Sequence, residues 1–226
     1  MRTLVIAAHP DDEVLGCGAT SARLAAEGHE VHFAILGEGI TARGQSNVMA
    51  NQKDQLQSHA HAAAGKIGAK SLELRQLPDN RLDTVPLLDV VKIVEELVDR
   101  LRPEVVYTHH GGDLNVDHGI VHRAVLTATR PMAGQTVREI YAFEVPSSTE
   151  WAFQRIQPTF RPNVFVDVGR TLETKIAAME CYESEVRKFP HPRSPEALRA
   201  LATRWGSVVG CNAAEAFELV RSVRLQ

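Results

Sequence analysis

The chain predicts an α/β domain with a mostly parallel sheet and helices on both faces. Three observations carry this expectation. Short apolar, β-branched runs alternate with longer segments of helical periodicity. Glycines and prolines punctuate the changes between them. The 226 residues, 44% of them hydrophobic, are enough for one core buried on both sides of a sheet.

The elements follow in order. Residues 2–8 read as a fully buried strand, short and apolar. Residues 13–27 read as a helix, with Asp11 or Asp12 as N-cap and Gly28 to end it. Residues 31–36 form a second strand, broken by Gly37-Glu38-Gly39. A helical pattern over 47–66 stops before Gly68, and a third strand covers 71–77. Residues 78–83 are a polar loop, and Pro86 opens a helix over 87–101. Pro103 precedes a strand over 104–108, and a helix follows over 117–129. Beyond Pro131 come strands near 137–145 and 163–168, a helix near 170–185 and a proline-rich loop over 189–195. The tail holds a helix and a last strand around 216–220. Without a repeat or linker, the chain reads as one domain over 1–226, with a core over 1–145 and substrate loops and C-terminal elements over 146–226.

Composition narrows the function. The net charge is -3 with basic residues scattered, which argues against a nucleic-acid surface. No apolar stretch is long enough to span a bilayer, and the N-terminus does not read as a signal peptide. The three cysteines, Cys17, Cys181 and Cys211, lie far apart, which points to a reducing cytoplasm. A homo-oligomer stays open.

The chemistry gathers at two strand ends. His9-Pro10-Asp11-Asp12-Glu13 leaves the first strand, and His109 to His118 leaves the strand over 104–108. Desolvating that much unpaired charge is costly, so a metal or a polar substrate is expected there. Ligands of parallel sheets sit beyond the carboxyl ends of the strands. His9, Asp12 and His118 make a His-Asp-His set drawn from two such loops, and a catalytic zinc takes three protein ligands. Another divalent ion also fits. Asp11 would stand beside a bound water as its base. Helix capping explains one aspartate, not the whole cluster. Gly16-Cys17-Gly18 comes too late for a dinucleotide fingerprint and instead lets the helix pack close to the sheet. Substrate contact, support of a ligand and structural hydrogen bonding all remain open for His109 and His110.

The stretch Ala8-His9-Pro10-Asp11-Asp12-Glu13-Val14-Leu15-Gly16-Cys17-Gly18 resembles the signature of the PIG-L/LmbE family of zinc-dependent de-N-acetylases. Asn115-Val116-Asp117-His118 resembles the second motif of that family. The resemblance implies a Rossmann-like fold and removal of acetyl groups from amino sugars and their conjugates. It implies His9, Asp12 and His118 as zinc ligands, Asp11 as general base and Asp117 as an acid that orients its neighbours. Two departures stand out. Asn115 replaces a histidine that stabilises the oxyanion or protonates the leaving group in the family; an amide donates a hydrogen bond but is no acid. Gln55-Leu56-Gln57-Ser58-His59 stands where many members carry an arginine and a glutamate. Segments 108–115, 147–151 and 190–194 resemble a bacterial subgroup associated with surface-polysaccharide sugars.

The expected partner is a small N-acetylated sugar or conjugate. Candidate substrate contacts are Asp79, Asn80, Arg81, His109, His110, Asp113, Glu150, Trp151, His191 and Arg193. A tryptophan face suits a sugar ring, and carboxylates and amides suit hydroxyls; Arg193 also fits a structural ion pair. One rival is a zinc-dependent hydratase acting on an unsaturated carboxylic acid, for which Arg43, Arg81 and Arg193 are the arginines near the motifs. A sugar- or metal-binding protein without catalysis has no need of Asp11.

Overall fold

A computed structural model describes residues 1–39 and 49–224. Arg43 and the predicted helix start at 47–48 lie outside the described residues. Seven strands form one sheet: β1 (Arg2–Ala7), β2 (Glu30–Gly37), β3 (Ser71–Leu77), β4 (Val105–His109), β5 (Glu139–Phe143), β6 (Val164–Asp167) and β7 (Ala214–Ser222). Their order is β3-β2-β1-β4-β5-β7-β6. The first five neighbours in that order run parallel, and β7 pairs antiparallel with both β5 and β6.

Among the described residues six α-helices complete the fold: α1 (Asp12–Ala26), α2 (Met49–Ile67), α3 (Leu87–Leu101), α4 (Val116–Ala128), α5 (Leu172–Glu180) and α6 (Pro195–Val209). The central strands β1, β2 and β4 are buried along almost their whole length because both faces are covered. Val5 and Ala7 of β1 pack in the layer that holds α1, α2 and α5, with Phe33, Tyr107 and Phe143. Leu4 and Ile6 point the other way, against Val90, Val94 and Leu97 of α3 and Val121 and Val125 of α4. From β1 the chain moves outward to β2 and β3, then returns to β4 on the other side. That reversal opens a crevice beyond the carboxyl ends of β1 and β4.

Helix α1 is interrupted at Cys17, whose φ of -146° and ψ of 26° are not helical. The glycine before it is sterically required: a Cβ on Gly16 would meet the Phe143 ring at 2.2 Å. The break frees backbone groups, and a buried ion pair takes them up. Lys175 Nζ donates to Leu15 O at 2.7 Å, and Glu215 accepts the Ala19 and Thr20 N–H groups at 3.2 and 2.7 Å. Lys175 and Glu215 meet at 2.6 Å.

Two elements differ from the sequence reading. The helix expected near 170–185 ends at Glu180, and residues 181–194 form an irregular connection. The last strand is longer than expected and inserts between β5 and β6. Among the described residues no helix is long and apolar enough to cross a membrane.

Candidate active site

The crevice brings together His9 from the turn after β1, Asp12 from the first turn of α1 and His118 from α4. His9 Nδ1 and His118 Nε2 each lie 3.2 Å from Asp12 Oδ2. The ligand atoms of the three fall within 4.8 Å of one another. His118 is buried, and neither Nε2, facing Asp12, nor Nδ1, facing Asp113, makes a hydrogen bond of good geometry. An orphaned imidazole nitrogen beside a carboxylate and a second imidazole suits a divalent cation, which would satisfy all three.

Aspartates address the far nitrogen of each histidine. Asp117 Oδ2 lies 2.9 Å from His9 Nε2, and its Oδ1 accepts the Leu82 N–H at 2.9 Å. Asp113 Oδ1 lies 3.0 Å from His118 Nδ1. The hydroxyls of Ser148 and Thr149 donate to Asp113, as does the Asn115 N–H. Such carboxylates orient ligating rings and raise their basicity. Burial opposes charge on His9, but Asp117, Asp12 and Asp79 outweigh it and push its pKa up to about 10. Burial likewise opposes charge on His118, yet Asp12 and Asp113 raise its pKa to about 9. Asp113 falls to about 2 despite its burial, held down by His118, Ser148 and Thr149.

A second group, His9, Asp79 and Asp117, shares His9 with the first. Its one imidazole and two carboxylates suit a harder cation than the two-imidazole set does.

Asp11 occupies the N-cap position of α1 but makes no side-chain cap bond, contrary to the capping role open to it in the sequence. Its backbone is left-handed at φ 106°, and its carboxylate is 3% exposed. Arg193 Nη1 donates to Asp11 Oδ2 at 2.6 Å and to Glu185 Oε2 at 3.1 Å, and Arg193 Nε donates to Ser147 Oγ at 2.8 Å. Burial raises the Asp11 pKa well above the usual carboxylate range, with Arg193 opposing. Glu13 accepts the Asp11 N–H at 3.1 Å and the Tyr182 hydroxyl at 2.6 Å.

Three expected substrate contacts are placed otherwise. His109 is fully buried, and its Nε2 accepts the Ala8 N–H at 2.8 Å. Its ring stacks on His118 with centroids 3.9 Å apart, and burial holds its pKa well below the ordinary value. It is a neutral platform under the His118 ring. His110 is also buried, with Nδ1 2.7 Å from Glu218 Oε2 and Nε2 2.8 Å from Pro158 O. Both nitrogens face acceptors, so the ring is an imidazolium tying residues 158–161 to β7. Asp113 is buried behind His118 and reaches no open surface.

The other candidates lie closer to solvent or at the ligands. Asp79 is buried, 3.4 Å from His9 Nε2. Asn80 and Arg81 are exposed, and Asn80 Oδ1 accepts from Asn115 Nδ2 at 2.8 Å. The Asn115 side-chain Oδ1 caps α4 by accepting the Asp117 N–H at 2.9 Å. Glu150 is exposed and accepts the Ser147 N–H at 2.6 Å. Trp151 is 40% exposed, its ring 5.7 Å from that of the half-buried His191. The sequence reading missed Glu185 and Tyr182. Both read as part of a helix, and nothing local marks them as neighbours of residue 11.

Comparison with known proteins gives the chain its relatives. Residues 4–129 match the family model PIG-L, GlcNAc-PI de-N-acetylase. A 1D-myo-inositol 2-acetamido-2-deoxy-alpha-D-glucopyranoside deacetylase of Mycobacteroides abscessus is 27% identical over 233 residues, covering 82% of this chain and 81% of the relative. A 4-oxalmesaconate hydratase of Pseudomonas putida is 29% identical over 198 residues, covering 79% of this chain and 71% of the relative. The N,N'-diacetylchitobiose deacetylase of Pyrococcus horikoshii has a similar fold, with a TM-score of 0.79 at 18% identity, over 97% of this chain and 84% of that one. A family match over more than half of the chain, joined to relatives along most of its length, places the protein: it belongs to the PIG-L, or GlcNAc-PI de-N-acetylase, family.

Proposed function

We propose that the protein is a divalent-metal-dependent hydrolase that removes an N-acetyl group from an amino sugar or sugar conjugate. The observation that carries this reading is the orphaned, buried His118 Nε2 beside His9 and Asp12, with the buried Asp11 carboxylate next in the chain. His9, Asp12 and His118 would hold the ion, and two imidazoles with one carboxylate favour zinc. The ion would supply Lewis acidity toward water and the amide carbonyl.

The chain's own groups account for the protons. Asp11 takes the proton of the attacking water and passes it to the departing amine. His110 is spent on Glu218 and Pro158, and His109 is fully buried beneath the His118 ring with its Nε2 on the Ala8 N–H and burial holding it neutral, so neither is placed to replace it. Asn115 has no acidic proton, and its amide is occupied by Asp117 and Asn80. One carboxylate therefore serves as base and then as acid. Asn80, Arg81, Glu150, Trp151 and His191 are the candidates left to receive the sugar.

A hydratase acting on an unsaturated carboxylic acid is the second reading. The Pseudomonas putida relative favours it, as does the absence of an acid at residue 115. A screen of zinc-loaded protein against N-acetylated sugars and nucleotide sugars, read by amine release, separates the two. Amine release supports the deacetylase. A blank, together with hydration of unsaturated acids, supports the hydratase.

A further inference from the structure

The carboxylate of Asp11 is held in place from the far end of the chain. Its backbone is left-handed, a conformation that non-glycine residues seldom adopt without support. Glu13, itself fixed by Tyr182, clamps the Asp11 N–H. Arg193 takes the side chain at Oδ2. The guanidinium is aimed in turn, with Nε on Ser147 Oγ and Nη1 also on Glu185 Oε2. A planar guanidinium with fixed N–H directions cannot satisfy these partners and still let the Asp11 carboxylate turn freely. Arg193, Glu185 and Tyr182 all lie beyond residues 4–129, the part that matches the family model.

We infer that Arg193 is a positioning residue: it orients the Asp11 carboxylate toward the reacting water, so that the connection between α5 and α6 completes the catalytic turn after β1. This replaces the sequence expectation that Arg193 contacts substrate. It rests on the reading of Asp11 as base and holds equally for a hydrolase or a hydratase. The cost of its loss falls on turnover, because misplacing a catalytic group by about 1 Å can cost on the order of 100-fold in rate.

The test compares wild type, Arg193→Ala and Arg193→Lys, all zinc-loaded, on a substrate that the wild type turns over. Metal content, thermal midpoint, kcat and KM are measured with and without millimolar guanidinium chloride. Expected for Arg193→Ala is wild-type metal content, kcat lower by about 10- to 100-fold, KM little changed, and partial recovery with guanidinium. Arg193→Lys should fall between the two, since an ammonium keeps the charge but not the fixed geometry. A raised KM at unchanged kcat would make Arg193 a substrate ligand and overturn the inference. Loss of metal and of thermal stability without guanidinium rescue would also overturn it, leaving only a structural role. If the wild type turns over neither class of substrate, the functional reading fails by itself. The crystal structure of zinc-loaded Arg193→Ala then decides: a displaced Asp11 carboxylate with His9, Asp12 and His118 in place supports the inference, and an unmoved carboxylate contradicts it.

Discussion

Asp117 Oδ2 lies 2.9 Å from His9 Nε2, and Asp117 is fully buried. The relationship favours a proton on Nε2, so that a cation displacing the other proton would be bound at Nδ1, the atom that faces Asp12. Asp117→Asn would reverse this. Its amide oxygen would stay on the Leu82 N–H, its amide nitrogen would face His9 Nε2, and the His9 proton would move to Nδ1. Metal affinity should fall by roughly 10- to 100-fold at little cost in folding. Competition against a chelator measures it, and unchanged affinity would remove Asp117 from this role.

The Lys175–Glu215 pair caps a broken helix as well as pairing two charges. Lys175→Met leaves a buried carboxylate unpaired, so it should cost about 3–5 kcal/mol. The double variant Lys175→Met with Glu215→Leu should not recover wild-type stability, because Leu15 O and the Ala19 and Thr20 N–H groups lose their partners. Urea unfolding of the single and double variants measures both effects.

The His110 imidazolium gives stability a pH dependence. Burial opposes its charge, but Glu218, the Pro158 carbonyl and Asp113 prevail and raise its pKa. Its contribution is therefore complete below the ordinary histidine value of about 6.5 and is lost as pH rises through the raised folded value. Compared with His110→Gln, wild type should lose thermal stability more steeply as pH rises above the ordinary histidine value of about 6.5. Thermal midpoints across that range measure the difference, and parallel curves would mean the ring is neutral.

Asn115 serves as the cap of α4 and the clasp on Asn80. Asn115→Ala should cost about 1 kcal/mol and release the loop that carries Asn80 and Arg81. Asn115→Asp keeps the cap acceptor and should lie nearer wild type in stability. Thermal unfolding separates the two, and a larger loss for Asp than for Ala would contradict the capping role.

The periodic elements were legible in the sequence because burial on both faces leaves a local mark. The bounds expected for β3 and α3 match the structure, and the other described bounds up to α4 lie within one residue, the expected start of the second helix falling outside the described residues. Two features left no local mark. Pairing of β7 between β5 and β6 joins segments far apart in sequence. The break at Cys17 sits within an unbroken helical pattern, and the groups packed around it, Phe143 against Gly16 and Lys175 on Leu15 O, come from distant parts of the chain. At the site, His9, Asp12 and His118 stood out as charge at strand ends. Asp113, His109 and His110 stood out equally, and sequence had no means of separating a side chain that faces the crevice from one packed behind it. The reach of Arg193 to Asp11 crosses 182 residues and belongs to tertiary structure alone.

The central claim is that Asp11 does the proton work beside a metal held by His9, Asp12 and His118. Asp11→Asn tests it most directly, since the amide keeps the size of the side chain and removes the base. On the best N-acetylated substrate of the wild type, the account predicts full zinc content with turnover lower by roughly 100- to 10,000-fold. Turnover near wild type at full zinc content would contradict it.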